Sequence, residues 1–262
     1  GPESDTIVED TTVTCTEANG VSVITITFPS PRSLRRRSEV DVEVSAPERC
    51  DVSISTQGHE RSLLTLTRGG GDIRLRGPVG DVDVTMPSAD LSAETITGSL
   101  SFKSASGDLD IAAVHGTVKV RSASGDVSIE EAGDDVSIAL VSGDVTIGTA
   151  RKHVDVTSVS GDVSITDAYE GATAKSTSGD TTVRRAWKGT VRAATVSGDV
   201  AVGIPSGRGV SVDARSMSGN LSSEIDLSSD RSDGGEGGDV IRVTAHSVSG
   251  DVEILRAATA TA

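Results

Sequence analysis

From Asp72 onward, apolar residues recur in pairs of the form apolar, any residue, apolar, and the pairs return every nine residues. One set runs Ile73 and Leu75, Leu91 and Ala93, Leu109 and Ile111, Val127 and Ile129, Val145 and Ile147, Val163 and Ile165, with 18 residues between equivalent positions. The other lies half a repeat later: Val82 and Val84, Leu100 and Phe102, Val118 and Val120, Val136 and Ile138, Val154 and Val156. Alternation of this kind puts both members of a pair on one face of a strand. The pattern predicts two short strands in every 18 residues, and the 3.6-residue period of a helix is missing.

The same clock sets the turns. Ser-Gly-Asp begins at Ser106, Ser124, Ser142, Ser160 and Ser178, recurs at Ser197 and Ser249, and becomes Ser-Gly-Asn at Ser218, while Gly71-Asp72 and Ala89-Asp90 keep the register upstream. The glycines Gly107, Gly125, Gly143, Gly161 and Gly179 supply the positive φ that a tight turn needs. The flanking serines and Asp108, Asp126, Asp144, Asp162 and Asp180 are placed to hydrogen-bond turn amides, so the motif reads as a structural turn ladder. A calcium ladder is the competing reading, because stacked carboxylates repel and calcium would relieve them. The half-repeats Gly98-Ser99-Leu100 and Gly116-Thr117-Val118 carry no matching acidic set, so no metal is needed to explain the pattern.

One 18-residue loop cannot bury its apolar pairs alone, since ordering costs roughly 1.5 kcal/mol per residue. Stacking coils about 4.8 Å apart pairs the backbones and lines identical side chains into columns. The sequence therefore predicts an all-β, single-stranded β-solenoid, β-helix-like, of about ten 18-residue coils over residues 68–257. Residues 1–67 read as an irregular β N-terminal cap and first irregular coils, with a hairpin signature at Asn19-Gly20 and strands at Val40 to Val44 and Cys50 to Ser55. Residues 228–238 read as a mobile acidic loop and residues 258–262 as a disordered tail.

Composition narrows the function classes. The aromatics are Phe28, Phe102, Tyr169 and Trp187 alone, too few for a thick globular core. A net charge of −15 argues against nucleic acid as partner, because that affinity rests on clustered cations. No run of about 18 apolar residues and no leader pattern occurs, which predicts a soluble chain; the Gly1-Pro2 start is similar to a protease scar, consistent with a trimmed leader or anchor. Cys15 and Cys50 read as reduced strand thiols, with a single bridge as the alternative. His59, His115, His153 and His246 share no metal-ligand spacing. Serines and aspartates recur at equivalent positions, whereas a catalytic group stands alone among unlike partners. The expectation is no enzyme, no cofactor and no metal.

Two places invite a partner. Counting by 18 puts Arg151, Tyr169 and Trp187 in one column, so the rings should stack with Arg151 over Tyr169, a cation–π contact of about 0.5 to 1 kcal/mol. Arg184, Arg185, Lys188 and Arg192 surround them, and interfaces favour Trp, Tyr and Arg. The competing reading is that the rings cover a corner where the repeat slips. Arg32, Arg35, Arg36 and Arg37 form a basic loop, either solvated or a finger for an acidic partner or lipid headgroups.

The pattern Ser-x-Ser-Gly-Asp-Val-x-Ile, as in Ser122 to Ile129 and Ser158 to Ile165, resembles the bacterial adhesin-like family also called the toastrack domain, and is most similar to its actinobacterial branch, where an acidic loop precedes a final strand such as Ser247 to Ile254. The resemblance covers nearly the whole chain and implies a non-catalytic β-solenoid of unknown function, linked in some members to cell-envelope stress signalling through membrane partners. The expected function is a protein-interaction or scaffold module, with a surface adhesin for a polymer or host molecule as the alternative and a polysaccharide-active β-helix enzyme behind both. The partner is expected to be a protein, membrane-associated, with self-association through the solenoid ends open. Localisation is expected to be cytoplasmic or membrane-peripheral, with the cell surface as alternative. Deleting residues 126–143, one whole coil, should leave a folded, shorter protein by circular dichroism and thermal melting, whereas deleting nine residues should not.

Overall fold

Inward Val, Ile and Leu alternate with outward Ser, Thr, Asp and Lys, and this alternation appears in the computed structural model as strands with a buried–exposed–buried pattern, such as Val118–Ser124 and Val136–Ser142. The structure describes residues 12–18, 21–27, 40–44, 50–55, 62–67, 70–225 and 240–257, with side-chain placement from residue 72 onward. The basic loop Arg32 to Arg37, His59, the segment 228–238 and the tail 258–262 lie outside the described residues, as do the side chains of Cys15 and Cys50. All described regular elements are strands, and the chain is a β-solenoid divided into two compact units, Gly1–Glu131 and Ala132–Ala262.

In the first unit, Thr12–Ala18 and Val21–Thr27 form an antiparallel hairpin with Cys15 opposite Ile24. The described pairings after it are parallel. One sheet runs Val21–Thr27, Cys50–Ser55, Gly70–Val79, the second half of Asp81–Ile96, then Leu109–Val114. The other runs Val40–Val44, Ser62–Thr67, the first half of Asp81–Ile96, Leu100–Ser106, then Val118–Ser124. From Ser62–Thr67 and Gly70–Val79 onward partners stand 18 residues apart, as in Leu91 with Leu109 and Val82 with Leu100, whereas Ser22 and Cys50 pair across 28. The irregular coils before Asp72 already pair in parallel.

In the second unit, one sheet stacks Val145–Ala150, Val163–Ala168, Thr181–Ala186 and Val200–Pro205. The other stacks Val136–Ser142, Val154–Thr157, Ala172–Lys175 and Thr190–Ser197. Above these, stacking order departs from chain order. Ile241–Ser249 lies directly on Thr190–Ser197, and Val252–Ala257 on Val200–Pro205. The earlier segments Val210–Ser218 and Leu221–Ser223 lie on top of that last coil. The final coil is thus inserted beneath the one that precedes it in sequence.

About seven coils keep the regular spacing, opened by Asp72, Asp90, Asp108, Asp126, Asp144, Asp162 and Asp180, rather than about ten. The physical reason is an extra residue at one corner: Ala168 pairs with Ala186, 18 positions on, but Ala172 pairs with Val191, 19 positions on. Later coils carry longer excursions still.

The turns show how coils hold one another. Within each unit, turn Asp carboxylates accept the backbone N–H of the equivalent Asp on the next coil: Asp108 N to Asp90 Oδ1 at 2.9 Å and Asp126 N to Asp108 Oδ1 at 2.9 Å in the first, Asp162 N to Asp144 Oδ1 at 2.8 Å and Asp180 N to Asp162 Oδ1 at 2.8 Å in the second. The line continues through Asp199 to Asp251 and then to Asn220, in stacking rather than chain order. A second serine, two positions before the one that flanks the turn glycine, also serves the turn. Ser122, Ser158 and Ser176 point inward and their hydroxyls donate to turn carbonyls, as in Ser122 Oγ to Ser124 O at 2.9 Å. A hydroxyl can donate, which a carboxylate cannot, so the two side chains divide the turn's carbonyls and amides between them.

Glycine is required at these turns on two counts. Gly161 has φ of +128°, and a Cβ there would collide with the carbonyl of Gly143 on the coil below. Gly207 has φ of +77° but open space around it. Gly161→Ala should therefore cost about 3 kcal/mol or more in chemical denaturation, against about 1 kcal/mol for Gly207→Ala, where only backbone preference is lost.

Candidate functional site

Stacked coils turn any repeated outward position into a line of side chains, so candidate sites are columns. The Asp column is one. Asp72, Asp90 and Asp108, with Arg74 and Asp110, line a shallow groove in the first unit. It presents the same group coil after coil, and the carboxylates of Asp90 and Asp108 accept backbone amides while that of Asp72 accepts from Arg74. Among the described residues, no group of three or more His, Cys, Asp or Glu is arranged to hold a metal ion.

The second column is the aromatic corner. Arg151 N donates to Ala132 O, Tyr169 N to Ala150 O and Trp187 N to Ala168 O, each at 2.9 to 3.0 Å. The same bond on successive coils places the three residues in register. The rings of Tyr169 and Trp187 stack with centroids 5.7 Å apart and planes 10° from parallel. Tyr169 remains 42% exposed.

The structure adds a residue that the search for basic neighbours overlooked. Asp167, on Val163–Ala168, pairs across the sheet with Arg185 on Thr181–Ala186. Its Oδ1 accepts from Arg185 Nε at 2.6 Å and from Trp187 Nε1 at 2.9 Å, while Oδ2 accepts from Arg185 Nη2 at 2.5 Å. This fork-on-fork pairing is the strong form of a charged hydrogen bond. The Asp167 carboxylate, chiefly by that hydrogen bond, holds the Arg185 guanidinium above its ordinary range, against an opposing burial penalty. Beside them, Lys152 Nζ lies 3.0 Å from Glu170 Oε1, and this hydrogen bond raises the ammonium above its usual value. Arg185 is therefore committed within the protein, while Arg151, Arg184, Lys188 and Arg192 are exposed. Both acidic partners lie 18 positions from their cations, so the spacing that found the rings also contained them.

The third column was not singled out from the sequence. Val141, Val159, Val196 and Val248 are 43% to 54% exposed and Met217 is 84% exposed. All occupy the x of Ser-x-Ser-Gly-Asp or its variants. Ser160 N donates to Val141 O, Ser178 N to Val159 O and Ser197 N to Thr177 O, which makes these positions neighbours. Pairing of Ser197 with Ser249, and of Ser249 with Ser218, extends the line. In stacking order the ridge reads Val141, Val159, Thr177, Val196, Val248, Met217, roughly 24 Å at strand spacing. The equivalent positions in the first unit are Pro87, Ala105 and Ala123. The signal lay in the choice of valine at an outward position.

A family model described as Toastrack DUF4097 matches residues 41–166 and again 97–255, two overlapping matches that cover the repeat. No curated protein and no solved structure matches the chain. No described helix is long and apolar enough to cross a membrane.

Asp167→Ala removes the acceptor shared by Arg185 and Trp187. It should lower stability by about 1 to 3 kcal/mol, since the pair is mostly shielded from water, and red-shift the emission of the single Trp187. An unchanged denaturation midpoint and an unchanged spectrum would mean that stacking alone holds the corner.

Proposed function

This chain belongs to the Toastrack family, and we propose that it works as a non-catalytic protein-interaction module whose partner, a membrane-associated protein of the cell-envelope stress type, docks along the valine ridge. The observation that carries this reading is the ridge itself: apolar side chains left in water on five of six successive coils, with Thr177 on the other, where serine or threonine would serve the strand equally well. An exposed apolar strip of this kind marks a contact surface. Its spacing is set by the coil stack, so the strip is rigid before any partner arrives and little ordering entropy is lost on docking. The aromatic corner is the second candidate surface, with Tyr169, Trp187 and the exposed Arg184 supplying residue types common at interface centres. Repetition favours contact over catalysis, because each column presents one chemistry many times.

The test compares Val159→Glu with Val196→Glu against Tyr169→Ala with Trp187→Ala, each double variant immobilised beside the unaltered chain and exposed to detergent-solubilised envelope from the native bacterium. Proteins retained by the unaltered chain and by the aromatic variant, but lost from the ridge variant at an unchanged melting temperature, support the reading. Loss only from the aromatic variant moves the contact to that corner. Equal retention by all three, or binding to purified polysaccharide alone, overturns it.

A further inference from the structure

Because the last coil slips beneath the preceding one, the second unit ends in Val210–Ser218, and among the described residues this strand pairs only with Ile241–Ser249. No described strand pairs with its other edge. Gly209 directs its carbonyl to Ile241 N at 2.9 Å, so by strand alternation the N–H and C=O of Val210, Val212 and Ala214 point to that other edge. Their side chains, which on lower coils would be core, are only half-buried, and Leu221 beside them is 55% exposed. The edge carries no Lys, no Pro and no bulge of the kind that protects exposed strands. The opposite end of the chain is different, since the first unit begins with an antiparallel hairpin.

We propose that two copies of this chain join end to end through this edge, strand Val210–Ser218 pairing antiparallel with itself about a two-fold axis at Ala214. The charge pattern selects this occupant. Asp213 and Arg215 flank Ala214, point outward and face each other within the strand at 3.0 Å, with side chains 51% and 72% exposed. With Ala214 opposite its own copy, Asp213 of each chain stands across from Arg215 of the other, so two ion pairs form by symmetry. The parity fits as well. Val212 and Ala214 fall at hydrogen-bonded pairs, while Asp213 and Arg215 fall at the closer non-hydrogen-bonded pairs, where opposite charges interact best. The same symmetry covers Val210, Val212 and Leu221, and it closes after two copies, so a filament is not formed.

Analytical ultracentrifugation of the full chain over about 1 to 100 μM should show a dimer at twice the chain mass, weakened by added salt. Arg215→Asp sets Asp against Asp on both sides of the axis and should raise the dissociation constant about 100-fold, with an unchanged circular dichroism spectrum and melting point for the monomer. The double exchange Asp213→Arg with Arg215→Asp restores complementarity and should restore the dimer. A monomer throughout overturns the proposal and leaves the edge to the chain's own residues 226–239. So does a dimer indifferent to Arg215→Asp, or assembly beyond two copies. None of these outcomes depends on the valine ridge, so this inference and the proposed function fail separately.

Discussion

The architecture depends on one contact, repeated: a turn carboxylate accepting the amide of the same turn on the next coil. It does three things at once. It satisfies a backbone N–H that the strand ladder cannot reach, it fixes each coil directly over the one beneath, and it gives each carboxylate a partner so that stacked charges are tolerated. From Gly125 onward the glycine before the aspartate makes the approach possible, as at Gly161, Gly179 and Gly198, where the carbonyl of the turn below packs where a side chain would stand. Among the described residues the line ends at Asn220, where the acid gives way to a neutral amide.

Once the turns are locked, the rest of the cross-section follows. Strands are too short to be stable alone, yet each is held at both ends by turns in register, so Val, Ile and Leu fall into unbroken columns. Exceptions stand out against this regularity. Leu140 takes the place of an inward serine, and Thr181 takes the place of an inward valine, with a buried hydroxyl that finds no partner. The one-residue slip between Ala186 and Val191 falls beside Trp187, so the aromatic stack also roofs the point where two coil lengths meet. Asp167 anchors both Trp187 and Arg185 and so ties that corner together.

The same mechanics shape the surface. A rigid coil stack cannot present an isolated outward group without presenting its neighbours, so function in such a protein is written in lines rather than pockets. Valine at one outward position becomes a ridge, and aspartate at another becomes an acidic stripe whose charges are already engaged. Where the described stack ends, at Val210–Ser218, positions that are core on lower coils become half-buried.

The sequence by itself determined the coil: strand positions, turn glycines, inward columns and the Tyr169–Trp187 stack were all legible, because each depends on spacing alone and spacing survives in one dimension. It also showed where regularity lapses after Asp180. It did not show that Val252 to Ala257 lies between Val200 to Pro205 and Leu221 to Ser223, since all three segments carry the same strand pattern and any of them could pair with another. Only the tertiary structure decided that order, through the amide and carboxylate partners of Asp199, Asp251 and Asn220. The Asp167 clamp and the half-buried end coil were hidden for the same reason. A repeat tells every coil what its neighbours look like, but not which neighbour it will have, and that choice is made by contacts between residues far apart in the chain.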